Sequence, residues 1–149
     1  MARHILLYIF LFTGLRVTAQ ESPVTWKFES KKTDSGTYEL NLSATVSSPW
    51  HIYSQNTPEG GPIPTKIQFK PNPLVTMSGS IKEQGKLKTI HDSNFGVDVR
   101  YFSGDASFVQ QVKLKSPVKT TLKGTIEYMV CNDSKCLPPV TVPFEITLN

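Results

Sequence analysis

From Val24 onward the apolar residues alternate with polar ones instead of recurring every three or four positions. Tyr38, Leu40, Leu42, Ala44 and Val46 point one way while Glu39, Asn41, Ser43 and Thr45 point the other, which is the period of a half-buried strand. Val24, Trp26 and Phe28 predict a strand before it, with Asp34-Ser35-Gly36 as the turn between the two. The same period runs through Leu122, Gly124, Ile126, Tyr128 and Val130, and again through Val142, Phe144, Ile146 and Leu148. Shorter candidates are Trp50 to Tyr53, Lys66 to Phe69, Val75 to Ser80, Lys86 to Ile90, Val97 to Phe102 and Phe108 to Leu114. About eight or nine short strands, with turn residues every ten or so positions and no helical stretch, predict an all-β, immunoglobulin-like antiparallel β-sandwich. The antibody signature is missing, because the cysteines are too close in sequence to bridge two sheets around a core tryptophan. The stretch Thr57 to Pro64, rich in Pro and Gly, is expected to be one long loop inside the domain.

The first nineteen residues read differently. Arg3 and His4 precede the apolar run Ile5 to Phe12, and Val17 and Ala19 stand at the −3 and −1 positions before Gln20. The run is too short to span a bilayer and suits a secretory signal peptide, so residues 1–19 are expected to be removed and residues 20–149 to form a single domain. No second hydrophobic run follows, which predicts a chain without stable membrane insertion. The formal net charge of +4 includes Arg3 and Arg16, leaving about +2 on the mature chain. That charge is too weak and too scattered for a nucleic-acid partner.

Export makes the cysteine count informative. The chain has two cysteines, Cys131 and Cys136, and in an oxidising compartment such a pair is most often a disulfide. They bracket Asn132-Asp133-Ser134-Lys135 between two clearly alternating strands, which predicts a hairpin tip. Chain entropy gives so short a loop only about 2 kcal/mol of stabilisation, against about 3 kcal/mol for fifteen residues. Lys135 would favour the thiolate of its neighbour Cys136 and Asp133 would oppose it. Spacing alone leaves three readings open: an inert hairpin staple, a redox pair, or a metal site. For metal, copper(I) would accept Cys with Met129, but beyond the signal the histidines are His51 and His91, and there is no His-rich or Met-rich cluster, so no metal or cofactor is assigned. Phosphate-cradling glycine loops, HExxH and nucleophile elbows are absent. A serine set with His91 and Asp92 could be assembled only by coincidence.

The segment Tyr128 to Pro139, which carries Cys131, Cys136 and the Leu137-Pro138-Pro139 that follows, resembles the N-terminal periplasmic domain of the bacterial thiol:disulfide interchange protein DsbD. Trp50-His51-Ile52-Tyr53-Ser54-Gln55 is similar to that family's aromatic strand, and His91-Asp92-Ser93-Asn94-Phe95-Gly96 to its cap loop, in the same order along the chain. The resemblance implies a periplasmic immunoglobulin-like domain that takes electrons from a thioredoxin-like partner and passes them to other envelope proteins. It implies that Cys136 is the sulfur attacked in mixed disulfides, with Cys131 as its resolving partner. It also implies that Phe95 shields the pair, and that His51, Tyr53 and Asp92 belong to the surroundings of the cysteines.

Two departures from the family pattern stand out. Ser93 and Asn94 replace acidic residues directly before the cap phenylalanine, leaving the acid at Asp92, and the cysteine loop is one residue shorter. The family domain is joined to a membrane-embedded electron conduit and a terminal thioredoxin-like domain, so a chain stopping at Asn149 is expected to meet its partners in trans. The rival reading is a non-catalytic immunoglobulin-like binding module with a structural hairpin disulfide. In that reading Phe95 packs on an edge, Tyr53 is ordinary core and His51 is a surface strand residue.

Overall fold

The computed structural model describes residues 22–93 and 95–149; the predicted signal peptide and Asn94 of the cap-loop segment lie outside the described residues. Among the described residues the chain forms nine strands and no helix: β1 Val24–Asp34, β2 Thr37–Val46, β3 His51–Tyr53, β4 Lys66–Phe69, β5 Val75–Asp92, β6 Val97–Leu114, β7 Thr120–Tyr128, β8 Val130–Cys131 and β9 Val140–Leu148. Every pairing is antiparallel. The six-stranded sheet holds β1, β2, β6, β3 and β8 in that order with β5 on the other side of β6, and the three-stranded sheet is β4-β7-β9. This is the immunoglobulin-like sandwich that the alternation predicts.

The alternating segments bury their apolar faces between the two sheets. Leu40 and Leu42 of β2, Phe108 and Val112 of β6, Leu122 and Ile126 of β7 and Leu148 of β9 are fully enclosed. Trp26 packs its ring on Phe28, Phe108 and Tyr128, at centroid distances of 6.4, 5.8 and 5.5 Å. Gly124 has a packing reason to be glycine: a Cβ there would collide with the Phe144 ring and the Gln68 carbonyl. The turn at Asp34-Ser35-Gly36 forms as expected, with the Asp34 carboxylate accepting from the Ser35 amide at 2.6 Å and Gly36 at φ 72°.

Two expectations need correction. The four short candidates Val75–Ser80, Lys86–Ile90, Val97–Phe102 and Phe108–Leu114 are two strands of 18 residues each, paired along their length. Glycines hid this. Gly79, Gly85 and Gly104 all have positive φ, and the register shifts between Ser78 and Lys82 and between Gly85 and Leu87, so the chain bends without leaving the sheet. As a result β6 reaches past the core, pairing with β2 in its second half and with β3 in its first.

The second correction concerns Met129. The cysteines do lie in the connection between β7 and β9, but that connection is not a simple hairpin tip. Tyr128 and Val140 are paired in the three-stranded sheet, and between them the chain crosses to the other sheet, where Val130 pairs with Ile52 and Cys131 with His51. The Val142-to-Leu148 period continues one sheet, whereas Val130 keeps the period of β7 while serving the other.

The long loop after β3 stays close to the sheet. Ser54 Oγ and the Gln55 amide both donate to the Glu83 carboxylate at 2.6 Å, tying the loop to β5. The Ser54 amide donates to the Arg100 carbonyl at 2.8 Å, and Thr57 Oγ1 donates to that carbonyl at 2.7 Å and accepts from the Arg100 amide at 3.1 Å, so a side chain satisfies the Arg100 amide where the β3 pairing ends. At Gly61 a Cβ would crowd Val97 at 3.1 Å, so glycine lets the loop lie close to the start of β6.

Candidate functional site

Cys131 and Cys136 are bonded, with S–S 2.01 Å and Cα–Cα 4.0 Å. The loop between them is shaped by Asn132, whose side-chain oxygen accepts from the Ser134 and Lys135 amides at 2.9 Å each. The Asn132 amide donates to the Lys135 carbonyl at 2.9 Å, and the Leu137 amide donates to the Val130 carbonyl at 2.8 Å. The Asn132 side chain and these backbone bonds together bring the second cysteine back beside the first. Pro138 and Pro139, which have no amide proton to offer a sheet, lead the chain back to β9.

The two sulfur-bearing residues differ in environment. Cys131 is 2% exposed and packs in a small cluster with Tyr53 and Val99, flanked by Val97, Tyr101 and Met129. Cys136 is exposed. This cluster lies apart from the main core, because Ile52 points into the sandwich while His51 and Tyr53 point the other way.

Above the cluster is an open cleft of about 470 Å³. One wall is the cysteine loop, and the other is the far end of the β5–β6 hairpin with Ile90, Asp92 and Phe95. That tip is closed by the Gly96 amide donating to the Asp92 carbonyl at 2.7 Å, with Gly96 at φ 69°. Phe95, 39% exposed, lines the cleft with both cysteines. The lengthening of β5 and β6 beyond the core thus delivers Phe95 to the disulfide.

His51 and Tyr53 enter from β3. His51 Nε2 and Tyr53 Oη are 3.2 Å apart, and the Thr65 hydroxyl holds the Tyr53 carbonyl at 2.6 Å. Burial pushes the His51 imidazole below its ordinary value, partly opposed by Asp133 and Asp92 and reinforced by Lys88. Burial, with Asp92 and Tyr101, pushes the Tyr53 phenol up to about 12. Both groups are therefore held neutral at neutral pH.

All six residues singled out from the sequence line this one cleft: Cys131, Cys136, Phe95, Tyr53, His51 and Asp92. Two further neighbours were not anticipated. Tyr101 packs on His51 at 4.5 Å between ring centroids and is the strand partner of Tyr53. Val99 lies beneath the cleft. The alternation Val97-Val99-Tyr101 was the available signal, since it faces away from core-facing Phe102. Lys135 places its ammonium 5.9 Å over the Trp50 ring. His91 pairs with Asp98 at 2.9 Å on the exposed surface, not with a serine. Among the described residues no group of three or more His, Cys, Asp or Glu is placed to hold a metal ion, and no helix is long and apolar enough to cross a membrane.

Three solved structures share the fold. The reduced DsbD N-terminal domain of Neisseria meningitidis is 19% identical, with TM-score 0.52 over 74% of this chain and 77% of that one. The complex between the DsbD N-terminal and PilB N-terminal domains of the same organism matches at 14% identity and TM-score 0.52, covering 88% of each chain. The N-terminal periplasmic domain of ScsB from Proteus mirabilis matches at 14% identity and TM-score 0.53 over 84% of this chain, which spans only 44% of that longer one. No curated protein matches the chain significantly. The family of the thiol:disulfide interchange protein DsbD, N-terminal, matches residues 17–148. With a match over nearly its whole length, the chain belongs to the DsbD N-terminal domain family of thiol:disulfide interchange proteins.

Proposed function

We propose that residues 20–149 are a single exported domain working in the periplasm as a thiol–disulfide carrier. It takes reducing equivalents from a thioredoxin-like donor and passes them to envelope acceptor proteins through the Cys131–Cys136 pair. The observation that carries the reading is the unequal exposure of the bonded cysteines: Cys136 is open at a cleft while Cys131 is 2% exposed. A thiolate attacking a disulfide must approach one sulfur and expel the other, and here only Cys136 is approachable. The DsbD N-terminal domain of Neisseria meningitidis is known in complex with a PilB N-terminal domain, which supports a protein partner for a domain of this kind.

In the forward cycle the donor thiolate attacks Cys136 Sγ, forming a mixed disulfide and releasing Cys131 as thiolate. The donor's second thiol then resolves the adduct and leaves the dithiol. Phe95 limits access of small oxidants and reductants to that pair between encounters.

Equilibration against thiol buffers, scored by alkylation and intact mass, tests the reading. A carrier should equilibrate between about −300 and −120 mV, whereas inert structural disulfides lie below about −300 mV. A value below that bound would leave the chain a binding module with a hairpin staple.

A further inference from the structure

His51 and Cys131 are directly opposed residues of the antiparallel β3–β8 pair. Side chains so placed lie on one face with Cβ atoms about 5 Å apart, and both residues line the cleft. We infer that His51 is the proton acceptor for the buried resolving thiol of Cys131. The inference rests on the carrier reading, and adds to it the group that makes the buried sulfur reactive.

The need for such a group follows from burial. In the bonded protein Cys131 sits among Tyr53 and Val99 with little access to water, and a thiol left in that place on reduction would have its thiolate disfavoured. Resolution requires that thiolate. The titratable and charged groups facing His51 are Tyr53 on its own strand, Lys88 and Asp92 on β5, Tyr101 on β6 and Asp133 in the cysteine loop. Tyr53 stays a neutral phenol up to about pH 12 and cannot take the proton. An imidazole held neutral by burial can. When Nε2–H donates to Tyr53 Oη across the 3.2 Å contact, the tautomer leaves the Nδ1 lone pair free.

The steps balance. The Cys136 thiolate attacks an acceptor disulfide R–S–S–R′, forming Cys136–S–S–R and releasing R′–S⁻, which takes a proton from water. Cys131–SH gives its proton to His51, directly or through one water. Its sulfur then attacks Cys136 Sγ, closing the Cys131–Cys136 bond and expelling R–S⁻, and the imidazolium returns the proton. The dithiol loses two electrons and the acceptor disulfide gains them. In reverse, the imidazolium protonates the departing Cys131 thiolate.

The test follows the reduced protein mixed with oxidised glutathione, quenched in acid and read by mass. The glutathione adduct at Cys136 forms and then decays as Cys131 resolves it. His51→Gln and His51→Phe should form the adduct at the wild-type rate but resolve it at least about tenfold more slowly, the low end for lost general-base catalysis. In the wild type the decay rate should fall as pH drops below the histidine range and level off above it, while in His51→Gln it should keep rising into the thiol range. The wild-type profile is a readout independent of whether either variant folds. Equal decay in wild type and His51→Gln at every pH, or a wild-type rate that never levels, overturns the inference while leaving the carrier reading intact. Failure of the wild type to form any adduct at Cys136 overturns the carrier reading and the inference with it.

Discussion

Phe95 and Cys136 line the same cleft from opposite walls, one at the tip of the β5–β6 hairpin and the other in the connection between β8 and β9. Phe95 is 39% exposed, so removing its ring takes little from the core. Phe95→Ala should therefore leave the unfolding midpoint nearly unchanged. Reduction by dithiothreitol and reoxidation by small disulfides should accelerate by roughly two- to tenfold, because exchange depends on access to the sulfur. Stopped-flow rates for the two proteins make the comparison, and matching rates would reduce Phe95 to an edge-packing residue.

The two neutral groups on β3 predict opposite limbs of the stability profile. Tyr53 ionises in the folded state only at about 12, above its ordinary value of 10.0, so the unfolded chain loses its proton first as pH rises. Stability is unaffected below pH 10 and falls between 10 and about 12. The loss should be about 1–2 kcal/mol, short of the full linkage value because the hydroxyl reaches the cleft. His51 is lowered from 6.5, so the unfolded chain binds the proton first as pH falls, and stability drops as pH descends through that value. Urea midpoints across pH 5–11.5 should show a shallower alkaline limb for Tyr53→Phe and a shallower acid limb for His51→Gln. Parallel curves for variant and wild type would contradict these shifts.

Gly124 tests the sandwich itself. A methyl group there meets the Phe144 ring and the Gln68 carbonyl, where β4, β7 and β9 lie side by side. Gly124→Ala should cost about 2–3 kcal/mol through overpacking. Combining it with Phe144→Leu should recover part of that loss, because the contact with the ring is relieved while that with the Gln68 carbonyl remains. Equilibrium urea unfolding of the single and double variants checks it, and additive losses would show that the Phe144 ring is not the cause.

The legible parts of the fold are those where one face meets a core. β2, β7 and β9 were readable because Tyr38 to Val46, Leu122 to Tyr128 and Phe144 to Leu148 keep a strict period with every second residue buried between sheets. β5 offered no such signal, since most of its side chains are exposed and its glycines interrupt the period. The crossing at Met129 was invisible because Val130 is buried in either sheet, and only pairing with Ile52 decides which. For the site, spacing identified the cysteines but not their surroundings. His51, Tyr53, Asp92 and Phe95 came from a resemblance, and Tyr101 was missed because its role depends on a strand partner distant in sequence.

The proposed roles of the two sulfurs rest on their unequal exposure and make the most demanding prediction. Exchange passes through a mixed disulfide that is short-lived while a second thiol can resolve it. With Cys136 exposed and Cys131 2% exposed, an incoming thiolate reaches Cys136. Cys131→Ser should therefore accumulate a covalent adduct with a thioredoxin-like partner whose own resolving cysteine has been replaced. Cys136→Ser keeps only the Cys131 thiol, beneath the cleft among Tyr53 and Val99, and should accumulate roughly fivefold less adduct or lower still. Non-reducing gels of the two variants, scored for a reducible higher band, give the ratio. Equal trapping would show that burial of Cys131 relaxes once the bridge is gone, and would undo the division of roles. Trapping by neither variant, with several thioredoxin-like partners tried, would return the disulfide to a staple on the β8–β9 connection.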